Sequence, residues 1–144
     1  MTYTDLLARL EAATEGSREL DAEIHVRAVF GRGLSMQDDD VEVCVRSFLE
    51  NAGDCNRCGA DNQASLRYTT SLDAALTLLP APQKNGLRCR FWLERKPTSE
   101  GTTELWFAEC CHHADKGEMV SAPTAALAAC KAILRARQSL EERK

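Results

Sequence analysis

Long apolar runs are missing from this sequence. No stretch of its 144 residues approaches the roughly 18 consecutive apolar positions that a membrane-spanning helix needs. The opening MTYTDLLARLEAATEGSREL also lacks the basic region followed by an apolar region that marks a secretory signal. We therefore expect a protein that has no contact with a membrane and stays in the cytoplasm.

An excess of basic charge is missing as well. The chain carries 18 Lys and Arg against 22 Asp and Glu, a net charge of -4. Negative charge opposes nonspecific attraction to a phosphate backbone and weakly favours basic partner surfaces. Nucleic acid is thus not expected as the main ligand, although the basic segments LRCRFWLERK and KAILRARQSLEERK could each form a small positive face.

Catalytic signatures are absent too. The sequence has no nucleophile elbow and no phosphate-binding glycine loop, and the tripeptide 31–33 is too short for a dinucleotide-binding turn. His25 stands among charged neighbours, which predicts an exposed helical residue rather than a catalytic base. Ser71 and Asp73 are explained as a helix cap and a first-turn charge. We therefore expect a protein that is not an enzyme.

The patterns that are present combine helices with strands. Hydrophobic residues at 44% and charged residues at 28% are typical of one globular domain of this length. Helix-capping residues followed by apolar residues at helical spacing predict four helices. These run from Thr4 to about Thr14, from Ser17 to the glycines at 31–33, from Ser71 to Pro80, and from Ser121 toward the C-terminus.

The strand predictions rest on alternation. Residues 41–45 alternate apolar with polar, which predicts a strand after an exposed acidic loop at 31–40, with a short helix over 47–51 as the alternative. Residues 87–93 and 104–107 predict a β-hairpin. We expect Trp92 and Trp106 on the face opposite Phe91 and Phe107, either under a helix or as an exposed apolar patch. With the last helix on one face, the fold class is α+β with a short antiparallel sheet, in a three-layer α-β-α arrangement.

Seven cysteines suggest metal binding or buried thiols rather than disulfides in a cytosolic chain. Cys55 and Cys58 form a turn in which two thiolates can meet one ion. Either Cys111 with His113 or Cys110 with His112 can complete a tetrahedral site. The candidate ligands of a structural zinc ion are therefore Cys55, Cys58, Cys111 and His113; the alternatives are loop thiols with solvated histidines or, less favoured, a redox motif.

A second candidate site is acidic. Asp38, Asp39, Asp40 and Glu42 place four carboxylates in five positions, where they repel one another unless a cation or a basic surface relieves them. The cluster is a candidate partner-binding site. The alternative is a solvated loop without a function of its own.

Three stretches together resemble the small phage and prophage proteins called the phage ABA sandwich domain: LLARLEAATEGSRELDAEI, RYTTSLDAALTLLP and APTAALAACKAILRAR, at residues 6–24, 67–80 and 122–137. The resemblance implies an α-β-α layered domain over residues 1–144, encoded in a phage genome, with an insertion at about 31–63. It implies no activity and no catalytic residues. The chain departs from the family where APQKNGLRCR replaces a tryptophan-rich segment.

These observations predict a non-enzymatic phage accessory protein in the cytoplasm of a bacterial host. We expect it to bind a host protein, as an inhibitor of a defence factor such as a CRISPR effector would. One alternative is a small-ligand binder, with Tyr68, Arg88 and Arg90 around a nucleotide phosphate. Another is a module stabilised by zinc. The sequence leaves the oligomeric state and the order of strands open.

Overall fold

The computed structural model describes residues 3–30, 38–50, 67–79, 90–98, 101, 104–111 and 118–142. The described helices are α1 (Tyr3–Ala12), α2 (Arg18–Ile24), α3 (Asp38–Glu50), α4 (Leu72–Leu76) and α5 (Ala125–Glu142), and a π-helical segment, His25–Phe30, continues α2. The strands are β1 (Arg90–Pro97), β2 (Glu104–Cys111) and β3 (Val120–Ala122). No helix in these ranges is long and apolar enough to cross a membrane.

Helix α5 forms the centre of the molecule. Every residue from 126 to 134 is buried, so this part of the helix has neighbours on all sides. It packs against all three strands and also against α1 and α4. Five of its buried residues are alanines, whose small side chains allow the neighbouring elements to approach closely. Helix α5 therefore joins the sheet and the helices α1, α2 and α4 into one hydrophobic core.

The sheet is antiparallel, with the order β1-β2-β3. Phe91 lies opposite Cys110, and Trp106 lies opposite Ala122. These side chains share the inner face of the sheet, where they contact the core that includes α5. The predicted α+β class with a short antiparallel sheet is confirmed, and the predicted hairpin corresponds to β1 and β2.

The predicted strand over residues 41–45 is wrong, because these residues belong to α3. The predicted loop at 31–40 likewise ends earlier, since Asp38 already begins this helix. Cys44 and Phe48, four residues apart, are buried, whereas Val43 is 46% exposed. Burial thus follows the helical period, and alternating valines resembled a strand only by composition. The alternative helix over 47–51 comes closer, although α3 begins much earlier.

Two of the predicted helix caps are confirmed and two are wrong, since Thr4 already lies inside α1. The Ser17 and Ser71 hydroxyls accept hydrogen bonds from the amides of Leu20 and Ala74, at 3.2 and 3.3 Å. Ser121, the predicted start of the last helix, lies in β3 instead. The hydroxyl of Thr124 caps α5, since it accepts a hydrogen bond of 3.2 Å from the Leu127 amide.

The predicted faces of the hairpin are also wrong. Trp92 and Phe107 lie on the outer face, whereas Phe91 and Trp106 share the inner one. Paired residues of neighbouring strands point to the same side, and the register pairs odd positions of β1 with even positions of β2. A shift of one residue in the assumed register exchanges the two faces.

Candidate functional site

The outer face of the sheet combines aromatic and charged side chains. Trp92, Leu105 and Phe107 supply its apolar part. Four charged residues, Arg90, Glu94, Lys96 and Glu109, stand at alternating positions among them. Soluble β-sheets that leave one face to solvent normally carry polar residues there, so the aromatic residues are the unusual feature of this face. We call this side of the sheet, which also carries Cys111 and Ser121, the outer face below.

Trp92 is the centre of the outer face. It lies directly opposite Glu109 and diagonally next to Phe107, and it is 40% exposed. The ammonium group of Lys96 lies 5.4 Å from the centroid of the Trp92 ring, within the range of a cation-π interaction, and 3.5 Å from the Glu94 carboxylate. An accessible indole is therefore bordered by charges of both signs.

This arrangement is typical of a surface that contacts another molecule. Interfaces between proteins commonly place aromatic side chains at the centre and charged side chains at the rim. In the described parts of the chain, no group of three or more metal-binding side chains lies together.

A shallow cleft of about 520 Å³ lies between α1 and the C-terminal half of α5. Arg135 forms ion pairs with Glu11 and Glu118 across it. Burial lowers the pKa of Arg135, but the two carboxylates outweigh that effect and raise it above its ordinary value. The Gln138 amide also donates a hydrogen bond of 3.3 Å to the Thr4 hydroxyl. Glu11 and Glu118 therefore neutralise the positive charge of Arg135. The contacts of Arg135 and Gln138 with α1 hold α1 against α5.

A buried polar network connects α2 to the turn at residues 67–70. One carboxylate oxygen of Asp21 accepts hydrogen bonds of 2.8 Å from both the amide and the hydroxyl of Thr69. The Ser17 amide donates to the same hydroxyl at 3.0 Å, and Arg18 pairs with the other carboxylate oxygen at 3.2 Å. Asp21 and Thr69 are both buried. The network therefore joins, in the protein interior, two segments that are 48 residues apart in the sequence.

His25 lies beside this network, and the prediction that it is exposed is wrong. It is 1% exposed, its Nδ1 atom lies 3.2 Å from the Tyr68 hydroxyl, and its ring centre lies 5.2 Å from that of Phe48. The whole segment 20–27 is buried, including its charged residues. Ser17, Asp21 and His25 recur every four residues, and this spacing is the signal that could have indicated a polar stripe facing the interior.

Cys130 of α5 contacts the same turn at residues 67–70. Its thiol donates a hydrogen bond of 3.1 Å to the Tyr68 carbonyl. Burial and the negative charge of Asp21 raise the pKa of the Cys130 thiol far above its ordinary value. Only a thiolate is a nucleophile or a good metal ligand, so this cysteine stays protonated and has a structural role.

The predicted acidic cluster lies at the start of α3. Asp38, Asp39 and Asp40 form the first turn of this helix. Glu42 pairs with Arg46 one turn later, at 3.6 Å. Partner binding by these four residues stays a prediction.

The zinc site falls largely outside the described residues, which include neither Cys55, Cys58, His112 nor His113. Cys110 is 4% exposed and lies in the core on the inner face, whereas Cys111 is half-buried on the outer face. The two neighbouring thiols therefore point to opposite sides, which favours Cys111 as the ligand. Metal analysis of purified protein, with Cys55→Ser and Cys111→Ser variants, tests the site.

The residues predicted to hold a nucleotide are not brought together. Tyr68 is buried among the helices next to His25, whereas Arg90 is exposed at the end of β1, opposite Cys111. Arg88 lies outside the described residues. Tyr68 and Arg90 therefore do not line a common pocket.

Comparison with known proteins identifies no relative: no family model, no curated protein and no solved structure matches the chain.

Proposed function

We propose that the protein is a non-enzymatic accessory protein that binds a partner protein through the outer face of its sheet. The observation that carries this proposal is Trp92, a large aromatic residue that stays 40% exposed on a rigid strand with Phe107 and Leu105 beside it. The opposite face of the same strands contacts the core. The outer face is therefore the side of the sheet that can accept another molecule.

A protein partner fits the outer face better than a nucleic acid. Platforms that stack bases combine aromatic residues with a positively charged groove for the phosphates. Here two carboxylates, Glu94 and Glu109, stand among Arg90 and Lys96 around Trp92, so the face is not a positively charged groove, and the net charge of the chain is -4. Charges of both signs around an aromatic centre instead match the rim of a protein interface, where they contribute specificity.

The resemblance to phage accessory proteins makes a protein of the bacterial host the expected partner, and inhibition of a defence factor in the host cytoplasm the expected role. A small domain with an aromatic centre on a flat face can inhibit by covering a surface that the host factor needs. This mode of action requires no catalytic group and no cofactor.

Quantitative affinity capture tests the proposal. The tagged protein, a Trp92→Glu variant and a Val43→Glu variant are each incubated with host lysate, and the bound proteins are measured by mass spectrometry. Val43 is a matched control, because it is a similarly exposed apolar residue on α3 rather than on the sheet. Circular dichroism verifies that both variants are folded.

We expect at least one host protein to be enriched by the wild type and by Val43→Glu, and to fall about tenfold or more with Trp92→Glu, the loss typical of a central aromatic residue in an interface. Equal capture by all three proteins, or no capture above background, would contradict the proposal. Thermal stabilisation by a nucleotide would instead support the small-ligand alternative.

A further inference from the structure

The free side of β1 is divided into two halves of different character. In the described sheet, β1 is an edge strand that pairs with β2 alone. Its C-terminal half carries Arg95 on the inner face, then Lys96 and Pro97. An inward-pointing charge, a lysine and a proline are features that prevent an edge strand from pairing with another chain.

The N-terminal half of β1 has none of these protecting features. Residues 90–94, with the sequence RFWLE, place three large apolar side chains between two opposite charges. Phe91 and Leu93 point to the inner face, and Arg90, Trp92 and Glu94 to the outer one. Aromatic residues of this kind stabilise sheets through cross-strand pairs.

This half is complementary to itself. If a second copy pairs antiparallel about a two-fold axis at Trp92, Arg90 lies opposite Glu94 of the second copy, and the same pair forms again across the axis. Phe91 then lies opposite Leu93 of the second copy, and the two Trp92 rings meet at the centre. Opposite charges and apolar pairs across neighbouring strands are both favourable.

Neighbouring registers lack this complementarity. An axis at Leu93 would place Arg90 opposite Lys96 and Phe91 opposite Arg95, and an axis at Glu94 would place two carboxylates opposite each other. Like charges directly across a pair of strands are destabilising. The axis at Trp92 is therefore favoured over both.

We propose that a second copy of this chain pairs with β1 over residues 90–94, with the two-fold axis at Trp92, to form a continuous six-stranded sheet. Such a closed, symmetric contact is the commonest kind of homodimer. The paired segment is short, and an interface well below roughly 1,000 Å² is typical of weak association, with a dissociation constant on the order of micromolar to millimolar. This proposal does not depend on the partner bound by the outer face.

Exchange of the two charges tests the proposed register. Sedimentation equilibrium over a wide concentration range, under reducing conditions that exclude disulfides through Cys111, gives the dissociation constant of the dimer. We expect Arg90→Glu and Glu94→Arg to weaken dimerisation at least tenfold each, because each places two pairs of like charges opposite each other. The double variant should restore dimerisation to within a few-fold of the wild type, because the pairs are exchanged but complementary.

Glu109→Arg is the matched control, since this residue lies on the same face but one strand away from the edge. It should leave the dissociation constant unchanged. A wild-type protein that remains monomeric at millimolar concentration would overturn the proposal, and so would a folded double variant that fails to recover dimerisation.

Discussion

At the scale of single residues, Asp21 is the centre of the polar interior. Its buried carboxylate satisfies the amide and the hydroxyl of Thr69 and pairs with Arg18. Because the turn at 67–70 and α2 are distant in sequence, these hydrogen bonds bring together parts of the chain that apolar contact alone would align less specifically. The sequence does not indicate this pairing, because Asp21 and Thr69 are 48 residues apart and belong to no common helix or strand pattern.

Replacement of Asp21 by alanine should therefore destabilise the fold strongly. The substitution leaves the buried Thr69 amide without its acceptor, whereas the Thr69 hydroxyl can still donate to the Ser17 carbonyl at 3.2 Å, and it should lower the free energy of unfolding by about 2 kcal/mol. Asp73→Ala, which removes an exposed carboxylate from the first turn of α4, should cost about 0.5 kcal/mol. Urea denaturation followed by circular dichroism measures both, and a loss below about 1 kcal/mol for Asp21→Ala would contradict the role assigned to this network.

Cys130 links stability to alkaline pH. In the unfolded chain its thiol loses a proton near the ordinary pKa of about 8.5, whereas burial keeps it protonated in the folded protein. The folded state thus binds more protons than the unfolded state above that pH. The contribution of Cys130 to stability is complete below pH about 8.5 and falls above it, by up to about 1.4 kcal/mol per pH unit.

Comparison with a Cys130→Ala variant isolates this effect. The lowered pKa of Lys131, caused mainly by burial, acts in the opposite direction but is common to both proteins. We expect the difference in unfolding free energy between the wild type and the variant to decrease from pH 8 to pH 10 in urea titrations. A difference that stays constant over this range would show that the thiol ionises equally in both states.

At the scale of helices and strands, the sequence predictions succeeded where the deciding contacts join residues that are close together in the sequence. The caps at Ser17 and Ser71 involve contacts three residues apart, and both are confirmed. The N-terminal turn of α3 was missed because alternating valines favour a strand by composition, while the contacts that bury Cys44 and Phe48 come from distant elements. The start of α5 was misplaced because the sequence shows no pairing partner for β3.

The cap of α5 distinguishes the observed start from the predicted one. Thr124→Ala removes the acceptor for the Leu127 amide and should lower the free energy of unfolding by about 1 kcal/mol. Ser121→Ala changes an exposed residue of β3 and should lower it by less than about 0.5 kcal/mol. Urea denaturation of both variants provides the measurement, and a larger loss for Ser121→Ala than for Thr124→Ala would contradict the observed cap.

At the scale of the whole molecule, the candidate functional surface depends on strand register. Alternation in the sequence separates the two faces of each strand, but it does not decide which face of one strand joins which face of the next. The pairing of Phe91 with Cys110 determines that Trp92, and not Phe91, is on the outer face. Which aromatic residue lies on the outer face is therefore decided by the strand register of the folded protein. The sequence had already predicted an exposed apolar patch as one alternative for Trp92.

Site-specific photocrosslinking tests most directly whether a host protein binds the outer face of the sheet. A photoreactive amino acid replaces Trp92, Phe107 or Val43, one at a time, in protein expressed in the host, and crosslinked products are identified by mass spectrometry after irradiation. We expect positions 92 and 107 to crosslink the same host protein and position 43 to give no product with it. If position 43 alone captures the partner while both outer-face positions capture none, the outer face of the sheet is not the binding surface.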